Sequence, residues 1–381
     1  MKQTTTSVLK DITNKTTGLG KRNGVSSPEH QEPPHKKRNR GVKKSDAKVD
    51  NFTPAGVIEK QLEPTFDLSF GSGNDKIDLH KNTSCKKNPD HKDFIPLEQF
   101  GVRHLPEGYG NQGLLRLVEA LSKLIVLIRV DTCSSLRPKF FPDTEHKYLH
   151  FVGTTTGSGK IRFAETKTGT VSRHCLCDLC SESKTPETNW GEIKIITAAH
   201  VVFNNEEAKQ TTCSFEIFGT KVVTKGGRAT VDVKSDRCEL ICYTHDLSII
   251  SKLIKAIFYF TELHSKINKM YKSLSEKNLA ILVSHPHGYP KYVTVGKWIK
   301  RQVKQRCNRT AYTKYTYTTC TCPGSSGAPV YILGKEKVWT THPHSGSCDG
   351  HNFSGFEWEN FYPGHLSPSD VTEQVSEKHL E

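Results

Sequence analysis

The feature that most constrains the fold is a long series of short β-prone runs, which begins near residue 148. Turns rich in Gly, Thr, Ser and Lys separate the runs. Short strands at this spacing predict a β-barrel or a β-sandwich and argue against the alternating strands and helices of a parallel sheet. The first runs are YLHFVG, KIRFAE, EIKIITAAHVVF, SFEIFG, KVVT and ELICYT, and the series resumes after residue 278 with LAILVSHPHG, KYVTVGKWI, TAYTKYTYTT, APVYIL and KVWTTH.

Two helical patterns accompany these strands. Apolar residues from Leu114 to Ile128 recur with the spacing of one helix face, so we expect residues 95–147 to form a helical N-terminal extension packed on the strands. A second apolar stripe predicts a helical insertion over 251–276. We interpret this second helix as a packing element, in preference to a cofactor-binding or membrane-surface helix.

The two ends of the chain are predicted to be tails. Residues 1–50 hold twelve Lys or Arg against five Asp or Glu, which is +7 of the formal net charge of +14, and few apolar residues that could offset the entropy of ordering. We therefore expect a disordered basic tail over 1–50, a linker over 51–94 and a C-terminal tail over 366–381. The basic clusters within 21–44 suit a nuclear import receptor or nucleic acid as partner, and a merely solvated tail is the equal alternative.

The sequence shows no apolar segment suited to secretion or to a membrane. The first residues, MKQTTTSVLKDITNK, lack the apolar core of a signal peptide, and the longest apolar run, LIVLIRV at 124–130, is far too short to cross a bilayer. We therefore expect an intracellular protein with no membrane partner, and the basic tail makes the nucleus one candidate location. Its twelve cysteines are then expected to be reduced, and clustered cysteines to bind metal or to do chemistry.

Three short motifs carry the candidate chemistry. ITAAHVV places His200 at the end of an apolar strand, and THDLSII places Asp246 before an apolar run that we interpret as a strand. CTCPGSSGAPV places Ser326 between Gly324 and Gly327. A serine becomes a nucleophile when an imidazole takes its proton and a carboxylate fixes the tautomer of that imidazole, so these three are the predicted catalytic residues. The glycines allow a tight turn in which the N–H groups of Gly324 and Ser326 converge on an oxyanion.

In these motifs the chain resembles the trypsin-like serine proteases of the chymotrypsin fold. TAAH resembles the histidine motif of that family, DLSI its aspartate motif and GSSGAP its nucleophile motif. The cysteine-poor HtrA and glutamyl-endopeptidase branch is the nearest in look, with GTTTGSG at 153–159 and ILVSHPHGYPKYVTVGKWI as further points of likeness. The resemblance implies an all-β, chymotrypsin-like double β-barrel over 148–365, with the triad in the cleft between the barrels. It also implies hydrolysis of peptide bonds through an acyl-enzyme, with no cofactor in catalysis.

The resemblance also bears on specificity and on disulfides. Cys320 stands where the family often places the charge that selects Lys or Arg, so trypsin-like specificity is not expected. THPHSGS resembles the His-x-Gly element of glutamyl endopeptidases and picornavirus-type proteases, which implies that His344, or His342 as the alternative, binds a Glu or Gln side chain of the substrate. A turn with surface histidines is the simpler interpretation. Cys322 matches a half-cystine of the family that would pair with Cys348 in an oxidising compartment.

A second constellation is the HCLCDLC sequence, in which Cys175, Cys177 and Cys180 offer three thiolates. This spacing suits one tetrahedral Zn²⁺, and we expect Cys213 as the fourth ligand, with His174 as the alternative. Such a zinc would be structural and would brace the loop before the histidine strand. Unligated thiols or one local disulfide explain the cluster equally well.

Two functions of different classes fit these observations. The first is an intracellular serine endopeptidase that acts on polypeptides. The second is an inactive protease-fold module that binds protein or nucleic acid through its basic tail. A complete set of catalytic residues favours the first.

Overall fold

The computed structural model of the chain describes residues 65–71, 78–138, 153–168, 174–271, 278–307, 310–335, 341–360 and 370–372, which all belong to one compact unit, Lys60–Glu381. The basic tail predicted over 1–50, with its clusters at 21–44, lies outside the described residues. So do most of the C-terminal tail predicted over 366–381 and most of the runs YLHFVG and KVWTTH.

Strands dominate the described part of the chain. The α-helices there are α1 (Gln112–Ser122), α2 (Asp178–Ser181), α3 (Asn205–Lys209) and α4 (Leu247–Tyr271), and short 3-10 helices span Leu79–Lys81, Leu97–Gln99, Val102–His104 and Pro286–Gly288. The strands are β1 (Thr65–Phe66), β2 (Ser69–Phe70), β3 (Ile95–Pro96), β4 (Ile125–Val130), β5 (Thr155–Thr168), β6 (Asn189–Thr197), β7 (Thr211–Ile217), β8 (Thr220–Asp232), β9 (Arg237–Thr244), β10 (Leu279–Ser284), β11 (Tyr292–Cys307), β12 (Thr310–Tyr317), β13 (Val330–Ile332), β14 (His344–Cys348), β15 (His351–Ser354), β16 (Glu357–Asn360) and β17 (Asp370–Thr372).

Six strands form a closed first barrel in the order β5, β4, β7, β8, β9 and β6, with β6 pairing back onto β5. Side chains alternate between the interior and the surface, as strand geometry requires. In β7, for example, Cys213, Phe215 and Ile217 are buried, whereas Glu216 is exposed. The start of β5, before its pairing with β6 begins, pairs instead with the short strand β2.

The second sheet follows the order β1, β14, β15, β12, β11, β10 and β13, and it curls into a half-barrel. Backbone bonds from His344 N to Ala328 O (2.7 Å) and from Val330 N to His342 O (2.9 Å) form an isolated bridge between the segments that begin β14 and β13. Its interior holds large aromatic side chains, among them Tyr315. The closed barrel and the half-barrel together form a chymotrypsin-like double barrel, which confirms the predicted fold class.

The helical insertion is α4, which begins at Leu247 and ends at Tyr271. Along the chain it lies between β9, the last strand of the first barrel, and β10 of the second sheet. It buries an apolar face that includes Leu253 and Phe260, and it lies against α1, β5 and β6. Gly191 in β6 permits this approach, because a Cβ at that position would lie only 2.2 Å from Ile250 Cγ1. Among the helices of the described ranges, none has the length and apolarity of a membrane span.

The helix expected from Leu114 to Ile128 is only half helical. It ends at Ser122, and the following run forms β4, which pairs with both β5 and β7 as an integral strand of the first barrel. Ile125, Val126 and Val130 are β-branched, and such side chains lose less freedom in a strand than in a helix. The first barrel therefore begins before residue 148, within the region that we predicted to be a helical extension.

Part of the linker predicted over 51–94 is also ordered. It contributes β1 and β2, and residues 78–94 pack Leu79, Cys85 and Phe94 against the second barrel. The two-residue strands gain their order from pairing with distant strands, which no local pattern of the sequence encodes.

Candidate active site

The predicted base and nucleophile lie together between the two barrels. His200 follows β6, Ser326 lies in the turn before β13, and both residues are buried. The distance from His200 Nε2 to Ser326 Oγ is 2.6 Å, which is within hydrogen-bond range. The imidazole is therefore placed to take the hydroxyl proton of Ser326.

The carboxylate beside His200 belongs to Asp236. Its two oxygens lie 2.9 and 2.8 Å from His200 Nδ1, and one of them also accepts the backbone N–H of His200 at 3.0 Å. The hydroxyl of Ser345 donates to the other oxygen. A carboxylate at Nδ1 holds the proton on that nitrogen, so the lone pair of Nε2 faces Ser326.

The prediction of Asp246 as the third catalytic residue is therefore wrong. Asp246 precedes α4 rather than a strand, and its carboxylate accepts the backbone N–H of Ser248 at 2.9 Å and the Ser248 hydroxyl at 2.6 Å. These bonds make it the N-cap of α4. Asp236 was missed because it lies in the turn between β8 and β9, with φ of 49°, where an Asp is an ordinary turn residue. The sequence feature that could have indicated Asp236 is its position in a turn between two predicted strands, KVVT and ELICYT, of the barrel that carries His200.

The loop before Ser326 has the shape of an oxyanion hole. Gly324 has φ of 94°, and a Cβ there would lie 2.7 Å from both His285 O and His287 N, so only glycine fits. The Ser158 hydroxyl donates to Gly324 O at 2.9 Å and fixes the loop to β5. The Gly324 N–H donates to the carbonyl oxygen of Asp67 at 2.8 Å, which marks the spot where an oxyanion would be held.

A pocket beside this loop binds the Asp67 carboxylate. One oxygen of that carboxylate lies 2.8 Å from His344 Nε2 and 2.7 Å from Thr321 Oγ1, and the Lys87 ammonium also donates to it. The Tyr317 hydroxyl lies 2.5 Å from His344 Nδ1. A Tyr317 donor at Nδ1 leaves the proton on Nε2, where it points at the carboxylate.

The ionisation of the two partners follows from these contacts. Burial alone would raise the pKa of the Asp67 carboxyl, but hydrogen bonding from His344 and the charge of Lys87 outweigh burial and hold that pKa well below its usual range. Burial lowers the pKa of His344 in spite of the Asp67 charge, which favours the neutral imidazole. The pocket thus presents one cation and two neutral donors to one carboxylate.

The other two residues predicted for substrate binding lie elsewhere. His342 points into the half-barrel, where Nε2 lies 3.0 Å from Thr313 Oγ1 and the ring meets Tyr315 edge-on. The Cys320 thiol lies 3.5 Å from an Asp93 carboxylate oxygen. Lys87, which no sequence motif indicated, is the charged group beside the pocket.

The cysteine cluster has a different fourth member from the one predicted. Ligand atoms of Cys175, Cys177, Cys180 and His245 all lie within 4.8 Å of one another. His245 Nε2 is 3.6 Å from the sulfur of Cys177 and 3.4 Å from that of Cys180, close to the S-to-N edge of about 3.5 Å in a tetrahedral zinc site. The donor set therefore fits Zn²⁺. Its histidine directly precedes the Asp246 cap.

The expectation that Cys213, or His174, completes the cluster is not met. Cys213 points into the first barrel, where its sulfur lies 3.8 Å from that of Cys242. The Cys213 side chain is buried because alternate side chains of β7 point into the barrel, and Cys213 is one of them. The disulfide between Cys322 and Cys348 that the resemblance implied for an oxidising compartment is not formed, and the Cys322 sulfur lies 3.6 Å from that of Cys85.

Comparison with known proteins gives likeness in structure only. No protein-family model and no curated protein matches the sequence. The chain is similar to the active form of the Rv3671c protease from M. tuberculosis, at 12% identity and a TM-score of 0.33, over 64% of this chain and 82% of that chain. It is also similar to the HtrA-type protease AlgW with a tripeptide, at 14% identity and a TM-score of 0.32, over 63% of this chain and 58% of that chain. At such identity the likeness concerns the fold alone.

Proposed function

We propose that the protein is a serine endopeptidase with Ser326 as nucleophile, His200 as general base and Asp236 as the residue that orients His200. The observation that carries the proposal is the unbroken chain of contacts from Asp236 through His200 to Ser326, with distances of 2.8 and 2.6 Å. Three residues of this kind in hydrogen-bond contact match the arrangement that activates a serine.

The chemistry then proceeds in two steps. Ser326 Oγ attacks the substrate carbonyl while His200 takes its proton, and the Gly324 N–H holds the developing oxyanion. His200 gives the proton to the leaving amine, which departs from an acyl-enzyme on Ser326. A water activated by His200 then hydrolyses the ester and restores the serine.

The pocket favours an acidic residue before the scissile bond. We predicted Glu or Gln from the histidine element, but Lys87, His344 and Thr321 all act as donors to one carboxylate oxygen. An Asn or Gln amide oxygen could take the same place, but it carries no formal charge, and the Lys87 ammonium makes a stronger hydrogen bond to a carboxylate. We therefore propose Asp or Glu as the preferred residue.

Mapping of cut sites tests this proposal. The full chain and a Ser326→Ala variant are incubated with a proteome-derived peptide library, and the new termini are read by mass spectrometry. The expected result is cuts after Asp or Glu with the wild type and none with Ser326→Ala. Equal cutting by both proteins, or no cutting by a wild type shown to be folded by circular dichroism, would reject the endopeptidase.

An inactive module that binds partners is the second candidate. The observation in its favour is that residues 65–71 of the chain itself lie in the cleft beside Ser326. The predicted partners of the 21–44 clusters, an import receptor or nucleic acid, and the predicted intracellular or nuclear location fit either candidate.

We also propose a structural zinc held by Cys175, Cys177, Cys180 and His245. Bound metal there would tie the segment before β6 to the loop that follows β9, and would supply no step of the hydrolysis. The proposal rests on the four ligand atoms, which lie within 4.8 Å of one another, and on the two sulfur-to-nitrogen distances of 3.6 and 3.4 Å.

A further inference from the structure

The segment Thr65 to Gly71 crosses the candidate active site in an extended conformation. On one side of Ser326, Thr65 and Phe66 pair antiparallel with Ser347 and Gly346 of β14. A Cβ on Gly346 would lie 2.0 Å from Thr65 O, so glycine is required for this close approach. The Phe66 ring packs on the His200 ring, with centroids 5.1 Å apart.

Asp67, near the centre of the segment, contacts both the proposed oxyanion donor and the pocket beside it. The Asp67 backbone N–H points to Ser345 O at 3.5 Å, and its carbonyl oxygen accepts the N–H of Gly324 at 2.8 Å. Its side chain fills the pocket formed by His344, Thr321 and Lys87, with His344 Nε2 at 2.8 Å from the carboxylate. The Asp67 carbonyl group is thus polarised by the same N–H that would hold an oxyanion.

The other half of the segment lies on the first barrel. Leu68 is buried, and Ser69 and Phe70 pair antiparallel with Thr156 and Thr155 at the start of β5. The Gly71 N–H donates to Thr154 O at 2.7 Å. Short strands on both sides of a nucleophile hold a peptide by adding it to exposed sheet edges, with one side chain in a specificity pocket.

We propose that this segment is an internal substrate and that the chain cleaves its own bond between Asp67 and Leu68. The proposal rests on the endopeptidase function and names an acidic residue before an apolar one as its substrate class. Ser326 Oγ adds to the Asp67 carbonyl carbon and His200 takes the hydroxyl proton. The C–N bond breaks, and the same proton leaves with the new amino group of Leu68. Water then hydrolyses the Asp67 ester, which gives a fragment ending in Asp67 and a chain beginning at Leu68.

The test follows the full chain by intact-mass spectrometry and N-terminal sequencing. Wild type is expected to yield a chain that begins at Leu68, whereas Ser326→Ala stays uncut. Asp67→Asn removes the charge but keeps the shape, and we expect its cleavage to slow by about tenfold or more. Asp131→Asn, a surface change distant in sequence from the segment, is expected to cleave like the wild type.

Two further outcomes separate this proposal from the endopeptidase itself. If the wild type stays whole but cuts library peptides in a Ser326-dependent way, the segment is not a substrate and the enzyme proposal stands. If neither is cut, both fall. Cleavage within one molecule predicts a rate independent of protein concentration, and wild type mixed with a tagged Ser326→Ala chain should leave the tagged chain whole. Cutting of the tagged chain at an equal rate would overturn the intramolecular step.

A second, independent feature is a cluster of four ligand atoms behind the oxyanion loop. It comprises Cys85, His91, His287 and Cys322, whose ligand atoms all lie within 4.8 Å of one another. The two sulfurs are 3.6 Å apart and the two Nε2 atoms are 3.4 Å apart. A tetrahedral zinc site has edges of about 3.8 Å between sulfurs and about 3.4 Å between nitrogens.

The surroundings of the cluster also suit a metal. The backbone N–H of Asn88 donates to the Cys85 sulfur at 3.4 Å, and its side-chain amide donates to the Cys322 sulfur at 3.2 Å. Such outer hydrogen bonds orient thiolate ligands. His91 and His287 both have positive φ, of 47° and 55°, a conformation that costs energy for residues with a Cβ.

We propose that these four side chains bind a second Zn²⁺, which anchors the active-site pocket. Lys87 lies between Cys85 and His91, so the metal would hold the loop that brings its ammonium to the pocket. Cys322 lies two residues before Gly324, and the His287 N–H donates to Pro323 O at 2.5 Å. The site would thus link residues 85–91 to the loop that contains Gly324 and precedes Ser326.

Metal analysis of reduced, freshly purified full chain tests this site. Together with the Cys175 cluster, the proposal predicts two zinc ions per chain. His287→Ala is expected to lower the content by one, His287→Cys to restore it, and Cys307→Ser, at an exposed cysteine outside both clusters, to leave it unchanged. A wild type with one zinc that is lost on Cys177→Ser but kept in His287→Ala would overturn the second site, and so would a wild type without zinc.

Discussion

The carboxylate of Asp236 lies 2.8 Å from His200 Nδ1, and that of Asp246 instead binds Ser248 at the start of α4. The two aspartates therefore have different roles. One fixes the tautomer of the proposed base, and the other satisfies backbone N–H groups at a helix end.

Substitution of the two aspartates separates these roles. Asp236→Asn should reduce kcat/KM for peptide hydrolysis by about 10⁴-fold, because an amide at Nδ1 favours the wrong tautomer of His200. Asp246→Asn keeps a good N-cap and should leave kcat/KM unchanged. Steady-state kinetics on one acidic peptide check both, and a larger loss in Asp246→Asn than in Asp236→Asn would contradict the assignment.

The pocket should distinguish charge from shape. A peptide with Asp before the scissile bond should be cleaved faster than its Asn analogue, since Lys87 and His344 both donate to the carboxylate. Lys87→Met should narrow that difference by about 10- to 100-fold, the value of a charged hydrogen bond. The measurement is kcat/KM for the Asp and Asn peptides with each protein. An undiminished preference for the Asp peptide in Lys87→Met would show that Lys87 does not contribute to substrate recognition.

Stability should depend on pH through Asp67. The pKa of Asp67 is depressed in the folded chain, so its contacts stabilise the fold above the unfolded pKa of about 4 and are lost as the pH falls below that value. In a Ser326→Ala background, Asp67→Asn should therefore lower Tm more at pH 7 than at pH 3. Thermal unfolding at the two pH values measures this, and an equal or larger effect at pH 3 would be the wrong sign.

A buried ion pair beneath His200 should matter for stability. Arg137 Nε lies 2.7 Å from Glu207 Oε1, both side chains are almost fully buried, and Arg137 Nη1 donates to His200 O at 2.9 Å. Arg137→Ala leaves the Glu207 charge unpaired and should reduce the free energy of unfolding by about 3–5 kcal/mol. Arg129→Ala, at the half-exposed pair with Asp131, should cost about 1 kcal/mol or less, and urea unfolding compares the two.

Zinc content should follow His245 rather than Cys213. His245→Ala should lower the bound zinc by one ion per chain, because it removes a ligand of the Cys175 cluster. Cys213→Ala changes a barrel residue outside the cluster and should keep all the zinc. Metal analysis of both variants checks the prediction. Zinc loss confined to Cys213→Ala would instead support Cys213 as the fourth ligand, as the sequence alone had suggested.

The sequence was informative wherever one local pattern had one structural meaning. The strand series predicted a barrel or a sandwich, and the resemblance in the three motifs implied the double barrel. The flanking glycines and TAAH indicated Ser326 and His200, because a tight turn and a strand end are local features. Asp246 was misassigned because an Asp before an apolar run precedes a strand or caps a helix with equal ease.

Other features depend on distant partners. The run at 124–130 fits a helix by spacing, yet it forms a barrel strand because β5 and β7 flank it. Asp67 and Lys87 lie in a polar region without periodicity, and only pairing with β14 and β5 brings that region to the cleft. His245 was next to a residue already assigned a role, and its place beside Cys180 follows from the path of the loop after β9.

Hydrolysis of a quenched peptide containing TFDLSF by the full chain tests whether Ser326 and His200 cleave a peptide bond after an acidic residue. We expect a single cut between Asp and Leu with the wild type and none with Ser326→Ala or His200→Ala. Absence of any cut by a folded wild type, or the same rate of hydrolysis by all three proteins, would contradict this expectation.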